Sequence, residues 1–163
     1  MSGQRNGAEA LSALLREKKL TLAAAESCTG GLFSKRMTDL SGASEIYHGG
    51  VVSYVNGVKA NVLGVSPETL DRFGAVSAET AKEMAEGVRR VCGSDLGISF
   101  TGVAGPNRDD RGNEVGTVYV GAATEEKTYV NLLKLAGDRD TIRTLAVEQG
   151  MELLLELLRE KGE

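Results

Sequence analysis

The stretch Ala23-Ala24-Ala25-Glu26-Ser27-Cys28-Thr29-Gly30-Gly31 indicates the architecture of this 163-residue chain most clearly. An apolar run from Leu20 ends in its polar turn, and an amphipathic pattern begins at Leu32. Strand, tight turn and helix is the order in which an α/β protein offers backbone N–H groups to an anion. Adjacent glycines let such a turn approach a ligand closely. An ordinary strand-to-helix connection, with Ser27 or Thr29 as the helix cap, fits the same pattern.

The segments on either side continue this alternation of strands and helices. Apolar runs predict strands over residues 20–25, 46–55, 95–100, 115–123 and 127–135, and helical spacing predicts helices over residues 8–18, 29–39, 58–63, 66–74, 77–92 and 137–160. A three-residue turn joins the last two strands, so they form an antiparallel hairpin. We therefore expect an α/β protein: a single three-layer α/β/α domain over residues 8–163, with a mixed, largely parallel sheet that carries this late hairpin. Residues 1–7 are polar, and we expect them to be disordered.

The composition argues against several classes of function. A formal net charge of −4 and an aromatic content of 4% disfavour a nucleic-acid partner. No apolar run approaches the roughly 20 residues of a membrane span, and the N-terminus lacks the apolar core of a signal peptide. Cys28 and Cys92 give no disulfide framework, and a single histidine excludes a multi-histidine metal site within one chain. We expect a cytoplasmic protein with reduced thiols and no metal.

Ligands of α/β sheets usually bind at the carboxyl ends of strands. Three loops of this chain qualify, over residues 26–31, 101–106 and 137–143. In the last of these, Arg139 and Arg143 are four residues apart and share a helix face near its positive end. Their charge predicts either pairing with neighbouring aspartates or a bound anion such as phosphate.

A nucleophile is harder to identify from the residues. The serine-hydrolase patterns Gly-x-Ser-x-Gly and Ser-x-x-Lys are absent from the sequence. Ser44 precedes His48 by four residues in an irregular turn, but the β pattern that follows disfavours a shared helical face and favours a structural histidine. Tyr54 and Lys59 are alternative bases, since a tyrosine or a desolvated lysine can deprotonate a serine. Thr101, at a strand end, could serve an oxyanion through its hydroxyl or its backbone.

A set of short motifs stands in a fixed order along the chain. The motifs are Ala25-Glu26-Ser27-Cys28-Thr29-Gly30-Gly31, Ser53-Tyr54-Val55-Asn56, Lys59, Gly74-Ala75-Val76-Ser77, Thr101-Gly102-Val103-Ala104-Gly105-Pro106, Val115-Gly116-Thr117-Val118 and Gly137-Asp138-Arg139. From about Leu11 to the last helix, the chain closely resembles the CinA C-terminal domain family. That family includes stand-alone nicotinamide mononucleotide deamidases of the PncC type.

The resemblance implies hydrolysis of the carboxamide of nicotinamide mononucleotide to nicotinate mononucleotide and ammonia, in pyridine nucleotide recycling, without a cofactor. It implies Ser44 as the nucleophile, with Tyr54 and Lys59 assisting proton transfer. We take Ser27 as the reserve candidate for the nucleophile. The substrate-binding positions that it implies are Glu26, Ser27, Thr29, Gly30, Gly31, Thr101, Gly102, Arg139 and Arg143. Many relatives carry an additional N-terminal domain, which we expect this chain to lack.

Two other classes of function stay open. The chain could be a pyridine-nucleotide-binding module without catalysis, or a protein-interaction module related to competence and damage-inducible proteins. Retention of Ser44, Tyr54, Lys59 and Thr101 together favours the enzyme. The leucine-rich last helix has apolar residues on more than one face, which fits either a homo-oligomer contact or a buried position within the chain. We expect the charged segment 107–114 to be a mobile loop, and its closure over a substrate stays open.

Overall fold

A computed structural model describes residues 3–161, with side chains from residue 7 to residue 160. Five strands alternate with six helices and one 3₁₀ turn. In chain order these are α1 (Gly3–Lys18), β1 (Leu22–Glu26), α2 (Leu32–Thr38), the 3₁₀ turn (Ala43–Glu45), β2 (Tyr47–Val52), α3 (Asn56–Asn61), α4 (Pro67–Phe73), α5 (Ala78–Cys92), β3 (Leu96–Gly102), β4 (Thr117–Ala123), β5 (Thr128–Lys134) and α6 (Arg139–Lys161).

The strands form one mixed sheet in the order β2-β1-β3-β4-β5. β1 pairs in parallel with both β2 and β3, whereas β4 is antiparallel to β3 and to β5. Four strands therefore run in one direction and β4 alone runs against them. The carboxyl ends of β1, β2 and β3 meet at one edge of the sheet, which we call the carboxyl edge. The opposite edge, where these three strands begin, is the amino edge.

Helices cover both faces of the sheet. Along β1, Leu22 and Ala24 belong to a core shared with α1, α2 and α6, while Ala23 and Ala25 belong to a second core beneath α4 and α5. This alternation is the two-residue period of a strand that is buried on both faces. The small alanines let helices pack closely on either side of β1.

The predicted class, layers and late hairpin are confirmed. The main differences lie at element ends: α1 begins at Gly3, so residues 3–7 are helical where the sequence predicts disorder, and residues 1 and 2 lie outside the described part. α2 begins at Leu32 rather than at Thr29. Four leucines of α6 are buried within the chain, where they pack with α1 and the sheet: Leu153, Leu154, Leu155 and Leu158. Leu145 and Leu157 are half-buried.

Candidate active site

The first loop, residues 26–31, folds around the carboxylate of Glu26. This side chain is fully buried, and its oxygens accept hydrogen bonds from the backbone N–H groups of Gly31, Phe33 and Ser34 at 3.0–3.1 Å and from the Ser34 hydroxyl at 2.7 Å. The carboxylate thereby satisfies donors that the start of a helix leaves without intrahelical partners. Glu26, and neither Ser27 nor Thr29, is the residue that caps α2.

This capping corrects the prediction that the glycine backbone of the first loop holds a phosphate. The N–H of Gly31 donates to Glu26, and the N–H of Gly30 donates to the Ser27 carbonyl at 3.1 Å. Both donors are therefore engaged within the protein. Glu26 itself is buried behind the loop, so its predicted contact with substrate is not supported by its position.

Ser27 lies immediately past the carboxyl end of β1, beside a buried lysine. Lys59 extends from α3, is 1% exposed, and places its Nζ 3.1 Å from the Ser27 Oγ. The same Nζ donates to the Ser53 carbonyl at 2.6 Å and lies 3.4 Å from the Tyr54 carbonyl. The segment that supplies these carbonyls is fixed in turn, because the Ser53 N–H donates to the Glu26 carbonyl at 2.7 Å.

The surroundings of Lys59 favour its neutral form. Burial lowers the pKa of the Lys59 ammonium from its usual 10.5 to about 8, because desolvation penalises the charged state. At a pKa of about 8, roughly a tenth of the amine is unprotonated at pH 7 and roughly half at pH 8. An amine in that state, in hydrogen-bond contact with a serine hydroxyl, is able to accept the hydroxyl proton.

Ser27 and Lys59 line a cavity of about 230 Å³ at the carboxyl edge. Its walls are formed by segments that follow β1, β2 and β3, by the stretch between α4 and α5, and by the start of α6. Of the predicted site residues, it contains Ser27, Tyr54, Lys59, Thr101, Gly102 and Arg139. The further lining residues are Cys28, Ala75, Val76, Val103, Ala104, Gly105, Asn107 and Asp109.

Arg139, at the start of α6, connects two segments that line the cavity. Its guanidinium donates to the Tyr54 hydroxyl at 2.6 Å and to the Gly105 carbonyl. Tyr54 is 56% exposed, and Arg139 is exposed as well, so this bridge lies at the solvent-facing mouth of the cavity. An exposed guanidinium beside a cavity is well placed to meet an anionic group of a ligand.

Arg143, one turn further along α6, lies behind the first loop instead. Its Nη2 donates to the Thr29 carbonyl at 3.0 Å and would meet a side chain added at Gly30. Thr29 is fully buried. Thr29, Gly30 and Arg143 thus support the loop from outside the cavity lining. Of the two alternatives for the arginines, pairing with the neighbouring aspartates is absent from the described contacts, and both guanidiniums donate to loop carbonyls instead. Asp138 instead accepts a hydrogen bond from the Thr141 N–H at the start of α6.

Thr101 lines the cavity but its hydroxyl has another partner. The Thr101 Oγ1 donates to the Ala75 carbonyl at 2.7 Å, which ties the end of β3 to the stretch between α4 and α5. In this conformation the hydroxyl is not directed at a substrate oxyanion. Gly102 follows at the end of β3, where a Cβ would lie 2.5 Å from the Thr117 carbonyl oxygen.

Ser44 is the predicted residue that the structure places elsewhere. It is exposed in the 3₁₀ turn before β2, and the next residue but one, Ile46, accepts a hydrogen bond from Leu22 at the beginning of β1. Ser44 therefore lies at the amino edge, and β2, whose six residues extend about 20 Å, separates it from Tyr54. The predicted grouping of Ser44 with Tyr54 and Lys59 is wrong as a spatial arrangement.

His48 also lies away from the cavity. It is exposed near the start of β2, and its Nδ1 is 2.9 Å from the Cys92 carbonyl at the end of α5. That contact agrees with the structural role that the sequence favours. Among the residues that the structure describes, no group of three His, Cys, Asp or Glu side chains could hold a metal ion.

Cys28 is the nearest other nucleophile to Ser27. It is buried in the cavity wall, and desolvation raises the pKa of its thiol to about 12, although its own backbone N–H, Arg143 and Lys59 act in the opposite direction. A thiol with so high a pKa remains protonated at neutral pH and is a poor nucleophile. Ser27, whose Oγ lies 3.1 Å from the Lys59 Nζ, is the better candidate nucleophile of this loop.

Sequence reasoning missed part of the cavity wall. Ala75 and Val76 belong to one of the quoted motifs, but small apolar residues carry no chemistry that would identify them as lining a site. Asn107 and Asp109 lie in the segment predicted to be a mobile loop. The polar, turn-rich composition of that segment was the available signal, since ligand-contacting residues are often found on such loops.

Residues 4–158 match the CinA C-terminal domain. The chain belongs to this family. A Bacillus subtilis (strain 168) protein named as a competence-damage inducible protein is 54% identical over 151 residues, which is 93% of this chain and 36% of that protein. A Thermoanaerobacter pseudethanolicus protein of the same name is 53% identical over 146 residues, or 90% of this chain and 35% of that protein.

The chain thus spans about a third of the length of these curated CinA relatives. Solved structures of CinA proteins are nearer to it in size. A competence or damage-inducible protein from Enterobacter asburiae superposes with a TM-score of 0.94 at 34% identity, covering 97% of this chain and 99% of that one. A CinA superfamily protein from Escherichia coli gives 0.92 at 34% identity, covering 94% and 90%. None of the described helices is long and apolar enough to cross a membrane.

Proposed function

We propose that this CinA-family chain is a serine-type amidohydrolase that converts nicotinamide mononucleotide and water to nicotinate mononucleotide and ammonia. The observation that carries the proposal is the 3.1 Å contact between the Ser27 Oγ and the Nζ of buried Lys59 inside the cavity. A hydroxyl becomes a useful nucleophile when a base removes its proton, and a desolvated lysine is such a base.

The first half of the reaction forms an ester between the enzyme and the substrate. Neutral Lys59 takes the Ser27 hydroxyl proton as the oxygen attacks the carboxamide carbon. The resulting tetrahedral intermediate collapses when the C–N bond breaks, and the Lys59 ammonium returns the proton to the departing nitrogen, which leaves as ammonia. Nicotinate mononucleotide is then bound as an ester of Ser27, and Lys59 is neutral again.

The second half releases the product by the same proton route. Neutral Lys59 accepts a proton from a water molecule that attacks the ester carbon. The ester C–O bond breaks, and the lysine returns the proton to the Ser27 oxygen, which restores the starting enzyme. Both halves use the same base, which the Ser53 and Tyr54 carbonyls hold in position.

The phosphate of the substrate is assigned to the cavity mouth. Gly30 and Gly31 have engaged N–H groups, and Arg143 lies behind the loop, so Arg139 is the cation best placed to bind this anion. Its Nη2 would exchange the Tyr54 hydroxyl for phosphate oxygens, a stronger charge-assisted hydrogen bond. In this proposal Tyr54 positions Arg139 in the free enzyme.

The proposal also places the nucleophile at Ser27 rather than at Ser44.

Ammonia release from nicotinamide mononucleotide tests the proposal directly. Wild-type protein at pH 8 under reducing conditions is expected to release one ammonia for each nicotinate mononucleotide formed, as measured by coupled ammonia detection and chromatography. Nicotinamide riboside, which lacks the phosphate, is the matched substrate and is expected to need a higher concentration for the same rate. Absence of ammonia release from nicotinamide mononucleotide would refute the enzyme.

A non-catalytic role is the second candidate, because the relatives in this family are named for competence and damage induction rather than for an activity. Calorimetry distinguishes the two. Binding of nicotinamide mononucleotide without turnover would identify a nucleotide-binding module. Neither binding nor turnover would favour a protein-interaction module.

A further inference from the structure

The segment 107–114 forms part of the cavity rim and is organised around one carboxylate. Asp109 and Asn107 line the cavity. The Asp109 Oδ1 accepts hydrogen bonds from the backbone N–H groups of Arg111 at 3.1 Å and Asn113 at 2.7 Å, and its Oδ2 accepts one from the Asn113 side-chain amide at 2.7 Å. The charge of Asp109 is thereby compensated by donors of its own loop.

Arg111 joins this loop to the end of α4. Its guanidinium donates to the carbonyls of Leu70, Asp71 and Arg72, at 3.2 Å to Leu70 and 3.3 Å to Arg72. Carbonyls in the last turn of a helix lie at the negative end of the helix dipole, which suits a cation. The Leu70 carbonyl also accepts a hydrogen bond from the Gly74 N–H at 3.0 Å. The arginine stem lies against Gly74, where a Cβ would be 2.7 Å from the Arg111 Cδ.

The stretch after α4 is also a wall of the cavity. The Gly74 carbonyl accepts hydrogen bonds from the Ser77 and Thr80 hydroxyls at 3.0 and 2.7 Å. The next carbonyl, that of Ala75, accepts the Thr101 hydroxyl, and Ala75 itself lines the cavity. Arg111 therefore connects the 107–114 loop to the end of α4. The stretch that follows α4 is itself fixed by the hydrogen bonds to the Gly74 and Ala75 carbonyls.

We propose that Arg111 is a positioning residue for substrate binding. It keeps the 107–114 loop folded at the rim, with the Asp109 carboxylate bonded to loop donors rather than free to face the substrate phosphate. Release of the loop would present an uncompensated negative charge beside the anion that Arg139 binds, which weakens binding without changing Ser27 or Lys59. This inference rests on the proposed function, since it concerns the same cavity and the same phosphate.

The variant Arg111→Met tests the inference, because methionine keeps an unbranched stem against Gly74 and removes the guanidinium. We expect the KM for nicotinamide mononucleotide to rise about threefold to tenfold, which corresponds to about one net hydrogen bond, while kcat stays within about twofold. Arg111→Lys, which retains the charge, should recover part of the KM. Arg108→Met is the control, since Arg108 lies on the same loop and donates to Gly112 within it.

Limited proteolysis supplies a readout that does not depend on activity. A protease that cuts at acidic residues should cleave Arg111→Met faster within 107–114 than wild type or Arg108→Met, because a released loop opens more often. An unchanged KM, or a fall in kcat as large as the change in kcat/KM, would overturn the positioning role. Absence of ammonia release by the wild-type protein would refute the proposed function. Equal cleavage of Arg111→Met and wild type would separately refute the role of Arg111 in holding the loop against α4.

Discussion

The two edges of the sheet each carry a serine in a short turn and a basic side chain: Lys59 of α3 at the carboxyl edge and His48 of β2 at the amino edge. At the carboxyl edge, Ser27 is 8% exposed and contacts Lys59, which is 1% exposed. At the amino edge, Ser44 is exposed, and exposed His48 has its Nδ1 against the Cys92 carbonyl. The two edges therefore contain similar side chains in opposite environments.

Under the proposed function, burial decides which basic side chain can act as the base, and the residue type decides less. Histidine has the ordinary pKa nearer to neutrality, yet His48 lies on the surface against a carbonyl. Lysine has an unsuitable ordinary pKa, but desolvation brings the pKa of Lys59 to about 8. A fold can thus make a base from a lysine, provided that neighbouring carbonyls hold the amine against the hydroxyl.

The two serines should differ most strongly in their contribution to kcat. Ser27→Ala should lower kcat for ammonia release by about a thousandfold or more, because it removes the atom that forms the ester. Ser44→Ala, the matched change at the amino edge, should leave kcat within about twofold. Steady-state assays of both variants decide between the edges: a large loss in Ser44→Ala with retained activity in Ser27→Ala would return the nucleophile to Ser44.

The next effect concerns the base. Lys59→Met should lower kcat by about a hundredfold to ten-thousandfold, the usual contribution of a general base. In wild-type protein, kcat/KM should rise with pH through a midpoint near 8 and level off above it, since only the neutral amine accepts a proton. His48→Ala should leave that profile unchanged. A profile with a midpoint near the ordinary histidine pKa that His48→Ala abolishes would contradict the assignment.

The same lysine predicts a dependence of stability on pH. Because the pKa of Lys59 is lowered in the folded state, the unfolded chain binds more protons between pH 8 and pH 10.5, and stability rises with pH across that window. Below pH 8 the burial cost is present in full, about 3 kcal/mol for a shift of this size. Denaturant unfolding should show this rise in wild type but not in Lys59→Met, and parallel curves for the two proteins would count against it.

The buried carboxylate that caps α2 should contribute more to stability than an exposed carboxylate at the amino edge. Glu26→Ala removes the acceptor for the N–H groups of Gly31, Phe33 and Ser34, and should lower the free energy of unfolding by about 3 kcal/mol. Glu26→Gln should lose less, because it retains one carbonyl oxygen. Thermal unfolding measures both, with Glu45→Ala as the exposed control at the amino edge. Equal Tm values for Glu26→Ala and Glu45→Ala would refute the capping role.

Much of the architecture was predictable, because it depends on local patterns. The polyalanine strand, the turn chemistry before α4 and α5, and the short hairpin turn between β4 and β5 are each determined by neighbouring residues. The three loops that meet at the carboxyl edge follow from parallel pairing of the strands they follow. The start of α1 was missed, since polar residues at a chain end give no periodic signal.

The site was less predictable, because its decisive contacts join residues that are distant in the sequence. The contact of Ser27 with Lys59 depends on how β2 and α3 pack beside the end of β1, and the spacing of residues in the sequence does not predict that packing. The role of Glu26 was misjudged for a different reason. In a sequence, an acidic residue beside a glycine turn fits a ligand contact and a helix cap equally well. Only the burial of Glu26 in the structure distinguishes these two roles.

The buried carboxylate at the start of α2 has a consequence for how the protein would respond to salt. A helix that already carries its own anion cannot offer those backbone donors to a phosphate, so under the proposed function solvent-facing Arg139 meets the charge of the substrate. Exposed charge pairs are weakened by mobile ions, whose screening length falls from roughly 30 Å at 0.01 M to about 8 Å at 0.15 M. Substrate affinity in this family member should therefore vary with ionic strength, while the chemistry at enclosed Ser27 and Lys59 should not.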